Sequence, residues 1–119
     1  MNRDESRNEL GVVRIRKNVI ASISSIAAAE IEGVRRVGGS LRSGLLELIG
    51  QKSLSAIKVD ISKNEEVKVE IPLIIKYGYN IPDIASRVQE NVRQALEKMS
   101  DLSIKDINVN VQGIERSQQ

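Results

Sequence analysis

The sequence has no cysteine, no histidine, no tryptophan and no phenylalanine. Without cysteine it has no disulfide framework, no thiolate nucleophile and no thiolate metal ligand. Without histidine the commonest general base and the commonest metal ligand are both missing. The only aromatic residues are Tyr77 and Tyr79, so single-stranded nucleic acid finds almost no stacking platform. No run approaches the ~20 apolar residues that a membrane span needs. The longest uncharged stretch, 18–29, is dominated by Ser and Ala, and the first nine residues have no apolar core of the signal-peptide kind. These absences lead to an expectation of a cytoplasmic protein that reaches a membrane only through a partner.

What is present is ordinary in amount and uneven in arrangement. The chain has 119 residues, 40% hydrophobic and 29% charged, with 18 Lys and Arg against 16 Asp and Glu and a net charge of +2. That is one domain, long enough to bury a core without staples. The densest basic cluster is Arg35, Arg36 and Arg42, which reads as a solvated loop, with a contact for phosphate or anionic lipid as the alternative.

Periodicity outlines the elements. Gly11 to Arg16 reads as a short strand with Val13 and Ile15 inward, and Asn18 as the cap of the helix after it. That helix carries Val19, Ile20, Ile23, Ile26, Ala27 and Ile31 as its apolar stripe, and Gly33 suits its exit. Ser43 to Gly50 reads as one or two helical turns. Ala56 to Lys63 and Val67 to Tyr77 alternate and are joined by a short polar turn, which predicts a β-hairpin. Pro72 lacks an N–H, so its site is an edge, a bulge or the point where the strand outruns its partner. Ile81-Pro82-Asp83 opens a second helix with a stripe of Ile81, Ile84, Ala85, Val88, Val92, Ala95, Leu96 and Met99. Asp106 to Ile114 closes the chain as a strand. Tyr77 is expected in the core and Tyr79 at its rim.

The predicted fold is therefore α+β, a two-layer sandwich in the order β-α-β-β-α-β. A four-stranded, mainly antiparallel sheet carries two helices on one face. Residues 1–10 form a flexible polar tail, 11–114 one domain and 115–119 a second tail.

The two helices differ on their outer faces. The second is normally charged, whereas the first has no charge between Lys17 and Glu30 and carries Ser22, Ser24, Ser25, Ala28 and Ala29 there. Small uncharged side chains allow close approach and lose little entropy on association. Ser22, Ser25, Ala28 and Ala29 are thus the candidate interface, with coverage by the Leu-rich segment 41–49 as the alternative.

No catalytic, cofactor or metal site is expected. The stretch 44–53 (GLLELIGQKS) spaces its glycines one residue too far apart for a phosphate-binding loop, and no G-x-G-x-x-G or G-x-x-G occurs. Glu65 and Glu66 lie adjacent at a turn, which suits no paired acid–base role. Arg14, Arg16, Arg35, Arg36 and Arg42 form the one basic set to weigh for RNA or anionic lipid, and such binding carries a steep salt dependence.

Two segments, GVVRIRKNVIASISSIAAAEIEGV at 11–34 and YGYNIPDIASRVQENVRQALEKMSDLSIKDINVNVQGI at 77–114, resemble the alkaline shock protein family of mainly Gram-positive bacteria, also called the general-stress Gls family. Tyr77-Gly78, Val88-Gln89 and Asn108-Val109-Asn110-Val111 carry the likeness, and Ser100-Asp101-Leu102 departs from it where the family often has glycine. The resemblance implies a cytoplasmic, self-associating scaffold without enzymatic activity that supports cell-envelope stress homeostasis. It also implies a homo-oligomer and, as partner, a membrane-anchored protein. Regulation of acetyl-CoA carboxylase is the alternative; nucleic acid is not an expected partner.

Overall fold

The computed structural model describes residues 2–38, 56–99 and 103–116, with side chains of the first helix from Arg16 onward. Along these residues run α1 (Asn2–Ala29), β1 (Val34–Val37), β2 (Lys58–Ile61), β3 (Glu66–Lys76), α2 (Ile81–Glu97) and β4 (Ser103–Glu115). The expected turns at 43–50 lie outside the described residues, as do Arg42, the stretch 44–53 and Ser100-Asp101-Leu102.

The predicted strand over 11–16 is not one. Those residues belong to α1, which begins at Asn2, inside the stretch expected to precede the domain. A four-residue alternation such as V-R-I-R fits a strand, yet Val12, Ile15, Val19 and Ile23 also recur at helical spacing, and length decides such cases. No proline interrupts 2–29, and one internal glycine costs only about 1 kcal/mol. Asn18 accordingly lies exposed in mid-helix and caps nothing. The fourth strand is instead β1, after Gly33 turns the chain at φ +106°.

β3 is the central strand. β2 pairs antiparallel with its first half, Lys58 opposite Glu70 through Ile61 opposite Val67. β1 pairs antiparallel with its second half, Val37 opposite Leu73 through Val34 opposite Ile75. β4 runs parallel along its other side over almost its whole length, a connection that α2 makes possible. Pro72 falls between the last residue paired to β2 and the first paired to β1, and its carbonyl accepts from Gly38 N at 2.9 Å. The ladder position that proline cannot fill is thus the junction where β3 outruns β2. The hairpin turn before β3 is held by Ser62 Oγ, which accepts from Asn64 N and Glu66 N at 3.2 and 3.1 Å.

Both helices cover one face of this sheet. Val67, Val69, Ile71, Leu73 and Ile75 of β3 meet Ile84, Val88, Val92 and Leu96 of α2 and Ile20, Ala21, Ala27 and Ala28 of α1 in one buried cluster. Each such aliphatic side chain contributes about 1.5–3 kcal/mol by leaving water. Asn80 caps α2, its side chain accepting from Asp83 N at 2.9 Å, with Pro82 in the first turn. Tyr77 is not in the core. It is 61% exposed, and the Arg116 guanidinium stacks 4.5 Å from its ring centre.

Candidate functional site

The sequence-predicted interface on α1 divides in two. Ala28 is fully buried in the domain core, so it offers no surface. Ser22 and Ser25 are half-buried and Ala29 is exposed. Ala21, Ser24, Ala27 and Ala28 are small because α1 lies close against the rest of its own domain there, the separation of packed helices being set by the side chains between them. Asn91 of α2 fixes that packing, donating from Nδ2 to Ala27 O at 2.8 Å and to Glu30 Oε1 at 3.0 Å. Ser24 Oγ is buried and has no hydrogen-bond partner among the described residues.

What remains outside is more apolar than the sequence pattern suggested. Val19 is 39% exposed and Ile26 61% exposed, although both had been expected in the core stripe. The stripe straddles two sides of the helix: Ile20, Ile23, Ala27 and Ile31 serve the core, while Val19 and Ile26 stand with Ser22 and Ala29 on the solvent side. Among the described side chains of α1, Val19 and Ile26 form an exposed apolar surface on an uncharged stretch of the helix.

The arginines have an internal occupation. Arg36 donates from both terminal nitrogens to Glu115, at 2.9 and 2.7 Å, and Arg35 Nε lies 3.5 Å from the same carboxylate. The hydrogen bonds from Arg36 hold the Glu115 carboxyl below its ordinary value, against a smaller opposing effect of desolvation. Arg36 stands opposite Ile74 and Ile74 opposite Gly113, so the pair bridges β1 to β4 across the central strand. Gly113 leaves room for Ile74, whose Cδ1 lies 3.5 Å from where a Cβ would stand. Arg16 binds Glu65 at 3.0 Å, and the side chain of Arg14 lies outside the described residues. Among the described residues Arg16 stands apart from Arg35 and Arg36, which staple the sheet.

Sequence reading missed a second use of polar side chains. A groove of about 370 Å³ between α2 and β4 is lined by Ser86, Gln89, Glu90, Arg93, Asp106, Ile107 and Asn108. Gln89 Nε2 donates to Ile107 O at 2.9 Å and Arg93 to Ile104 O at 3.0 Å. These carbonyls belong to β4, which has β3 as its one partner strand among the described residues, so side chains of α2 hold the backbone of an edge strand. The signal available in the sequence was the i,i+4 spacing of Gln89 and Arg93 on the flank of the apolar stripe. Tyr79, at the rim as expected, donates its hydroxyl to Glu32 at 3.0 Å, and this bond raises its pKa above the usual 10.0. Among the described residues no group of three or more acidic side chains stands ready to hold a metal, and no helix is long and apolar enough to cross a membrane.

Comparison with known proteins adds the following. The pattern of the alkaline shock protein 23 family, described as having a cell envelope-related function, matches residues 5–116. The chain is 35% identical over 113 residues to the uncharacterized protein YqhY of Bacillus subtilis, covering 94% of this chain and 83% of that one. It is 25% identical over 112 residues to YloU of the same organism, covering 92% and 93%. A stress response regulator gls24 homologue of Streptococcus pyogenes is 25% identical over 103 residues, which are 85% of this chain but 57% of that relative. Among solved structures, a MamM CTD double variant superposes with a TM-score of 0.55 at 12% identity, over 85% of this chain and 95% of that one, a likeness in fold alone.

Proposed function

Because this chain belongs to the alkaline shock protein 23 family, whose described function is related to the cell envelope, we propose that it is a non-enzymatic interaction module. In this reading it associates with itself and with a membrane-anchored protein, and so supports envelope homeostasis under stress from the cytoplasmic side. The observation that carries the proposal is the solvent side of α1, where Val19 and Ile26 stand exposed on an uncharged face. Burying such a face against another protein gains apolar stabilisation at small entropic cost, because Ser and Ala flank the two larger side chains. Direct binding of RNA or anionic lipid through the arginines is disfavoured, since Arg35 and Arg36 already share the Glu115 carboxylate.

The test is affinity purification of the tagged protein from native cells in mild detergent, followed by mass spectrometry, with Ile26→Lys run in parallel. A membrane-anchored envelope protein at near-equal amount with the unaltered chain, and lost with Ile26→Lys, supports the proposal. Recovery of acetyl-CoA carboxylase instead moves the function to regulation of fatty-acid synthesis. A membrane partner that Ile26→Lys retains sits on another surface and leaves the face of α1 to self-association.

A further inference from the structure

We propose that the solvent side of α1 pairs with the same side of a second copy, antiparallel, as a short two-helix coiled coil. This deepens the interaction reading above and rests on it. Three features of α1 lead to it: the spacing of the exposed residues, their sizes, and the charges beside them.

Val19, Ser22, Ile26 and Ala29 are spaced three, four and three residues apart. That is the two-position repeat of a coiled-coil seam, with β-branched residues at one position throughout. A helix that docks only on its own domain needs one apolar face. α1 has two: Ile20, Ala21, Ala27 and Ala28 are buried in the core, while Val19 and Ile26 stand outside it, 39% and 61% exposed.

Size and charge select a second copy and its direction. In an antiparallel pair each seam position of one type meets the other type. Val19 then packs on Ala29 of the second copy and Ile26 on Ser22 of the second copy, so a large side chain faces a small one in both layers. A parallel pair sets Ser22 on Ser22 and Ala29 on Ala29, which leaves those layers underfilled. Arg16 and Glu30 lie on the same flank of the seam, two heptads apart. Antiparallel packing brings Arg16 of each copy beside Glu30 of the other, at both ends, while the stretch between them carries no charge on the seam. Arg16 reaches Glu65 through a single guanidinium nitrogen, and Glu30 accepts from Asn91 through Oε1, so each keeps donor or acceptor capacity for this second contact. A surface that complements itself under a two-fold rotation closes as a dimer.

The chain has no native cysteine, so introduced thiols report without interference. Val19→Cys and Ala29→Cys chains are mixed and treated with a short bis-maleimide. The expected result is a crosslinked heterodimer from the mixture and none from either variant alone, because identical positions then lie about 15 Å apart along the pair. Homodimers from the single variants overturn the antiparallel direction. Sedimentation equilibrium of the unaltered chain and of Ile26→Lys gives the second measurement, with Ser22→Lys as a further variant and circular dichroism to verify that each is folded. Weakening of the dimer by about tenfold or more in both variants supports the seam. A dimer that neither variant weakens, with no mixed crosslink, overturns the seam and leaves self-association standing on another surface. A monomer at every concentration overturns both.

Discussion

Glu115 illustrates how much one side chain ties together. It receives both terminal nitrogens of Arg36 and the Nε of Arg35, and so joins β1 to β4 over the top of Ile74. Because these bonds depress its pKa below the ordinary 4.5, the stabilisation is present above that value and is lost as the pH falls through the lowered one. Glu115→Gln is therefore expected to flatten the acid limb of a plot of melting temperature against pH below 4.5, with little change of its shape at neutral pH. Ser24→Ala removes a buried hydroxyl that has no partner among the described residues and adds a better helix former, so a gain of about 1 kcal/mol in chemical denaturation is expected. At Gly33 the direction reverses. Its φ is +106°, and an added Cβ stands 2.6 Å from Ile84 Cδ1 and 2.9 Å from Tyr79 Cδ2. Gly33→Ala is expected to cost about 1–3 kcal/mol in the same measurement.

Among the elements, α2, β3 and the second half of α1 are legible in the sequence, and the first half of α1 is not. The α2 stripe repeats for over four turns and its start carries an Asn cap and a proline, so pattern and local chemistry agree. β3 alternates over most of its length; Pro72 occupies the junction between two partner strands, and Ile74 is buried on the face away from the helices. Residues 11–16 fit a strand as well as a helix because the alternation is only four residues long, short enough to satisfy either period. β1 was missed for a related reason. VRRV is four residues, two of them arginines, and what makes it a strand is the second half of β3 beside it. At the edge of the sheet, Gln89 and Arg93 hold carbonyls of β4. Replacing both with alanine is expected to cost about 1–2 kcal/mol. It also releases the backbone of an edge strand, so light scattering of the double variant at constant temperature should grow with time, while the unaltered chain stays stable.

For the whole molecule the consequence lies in the second apolar face of α1. If that face is buried between two copies, folding and association are linked, and the melting temperature rises with protein concentration. The rise is expected for the unaltered chain and absent for Ile26→Lys, measured by scanning calorimetry over a hundredfold range of concentration. Family membership points to an envelope-related role, and the MamM CTD likeness speaks only of how the chain is folded.

The sequence by itself determined the class of this protein. Its helical and strand periods specify two layers, the missing histidine and cysteine remove most site chemistry, and the segments around Tyr77 and Asn108 carried the family. These are properties of local spacing and residue type, which a linear reading contains. The tertiary structure decided which side of α1 faces inward. Ala28 and Ser24, small enough for an external contact, are buried within the domain, whereas Val19 and Ile26, apolar enough for the core, stand outside it. It also decided that Arg35 and Arg36 belong to Glu115, some 80 positions away in the chain. Helical periodicity gives the angle between residues and not the direction of the core, and the partner of a charge depends on which strands lie side by side. Both are set only when the sheet and helices pack.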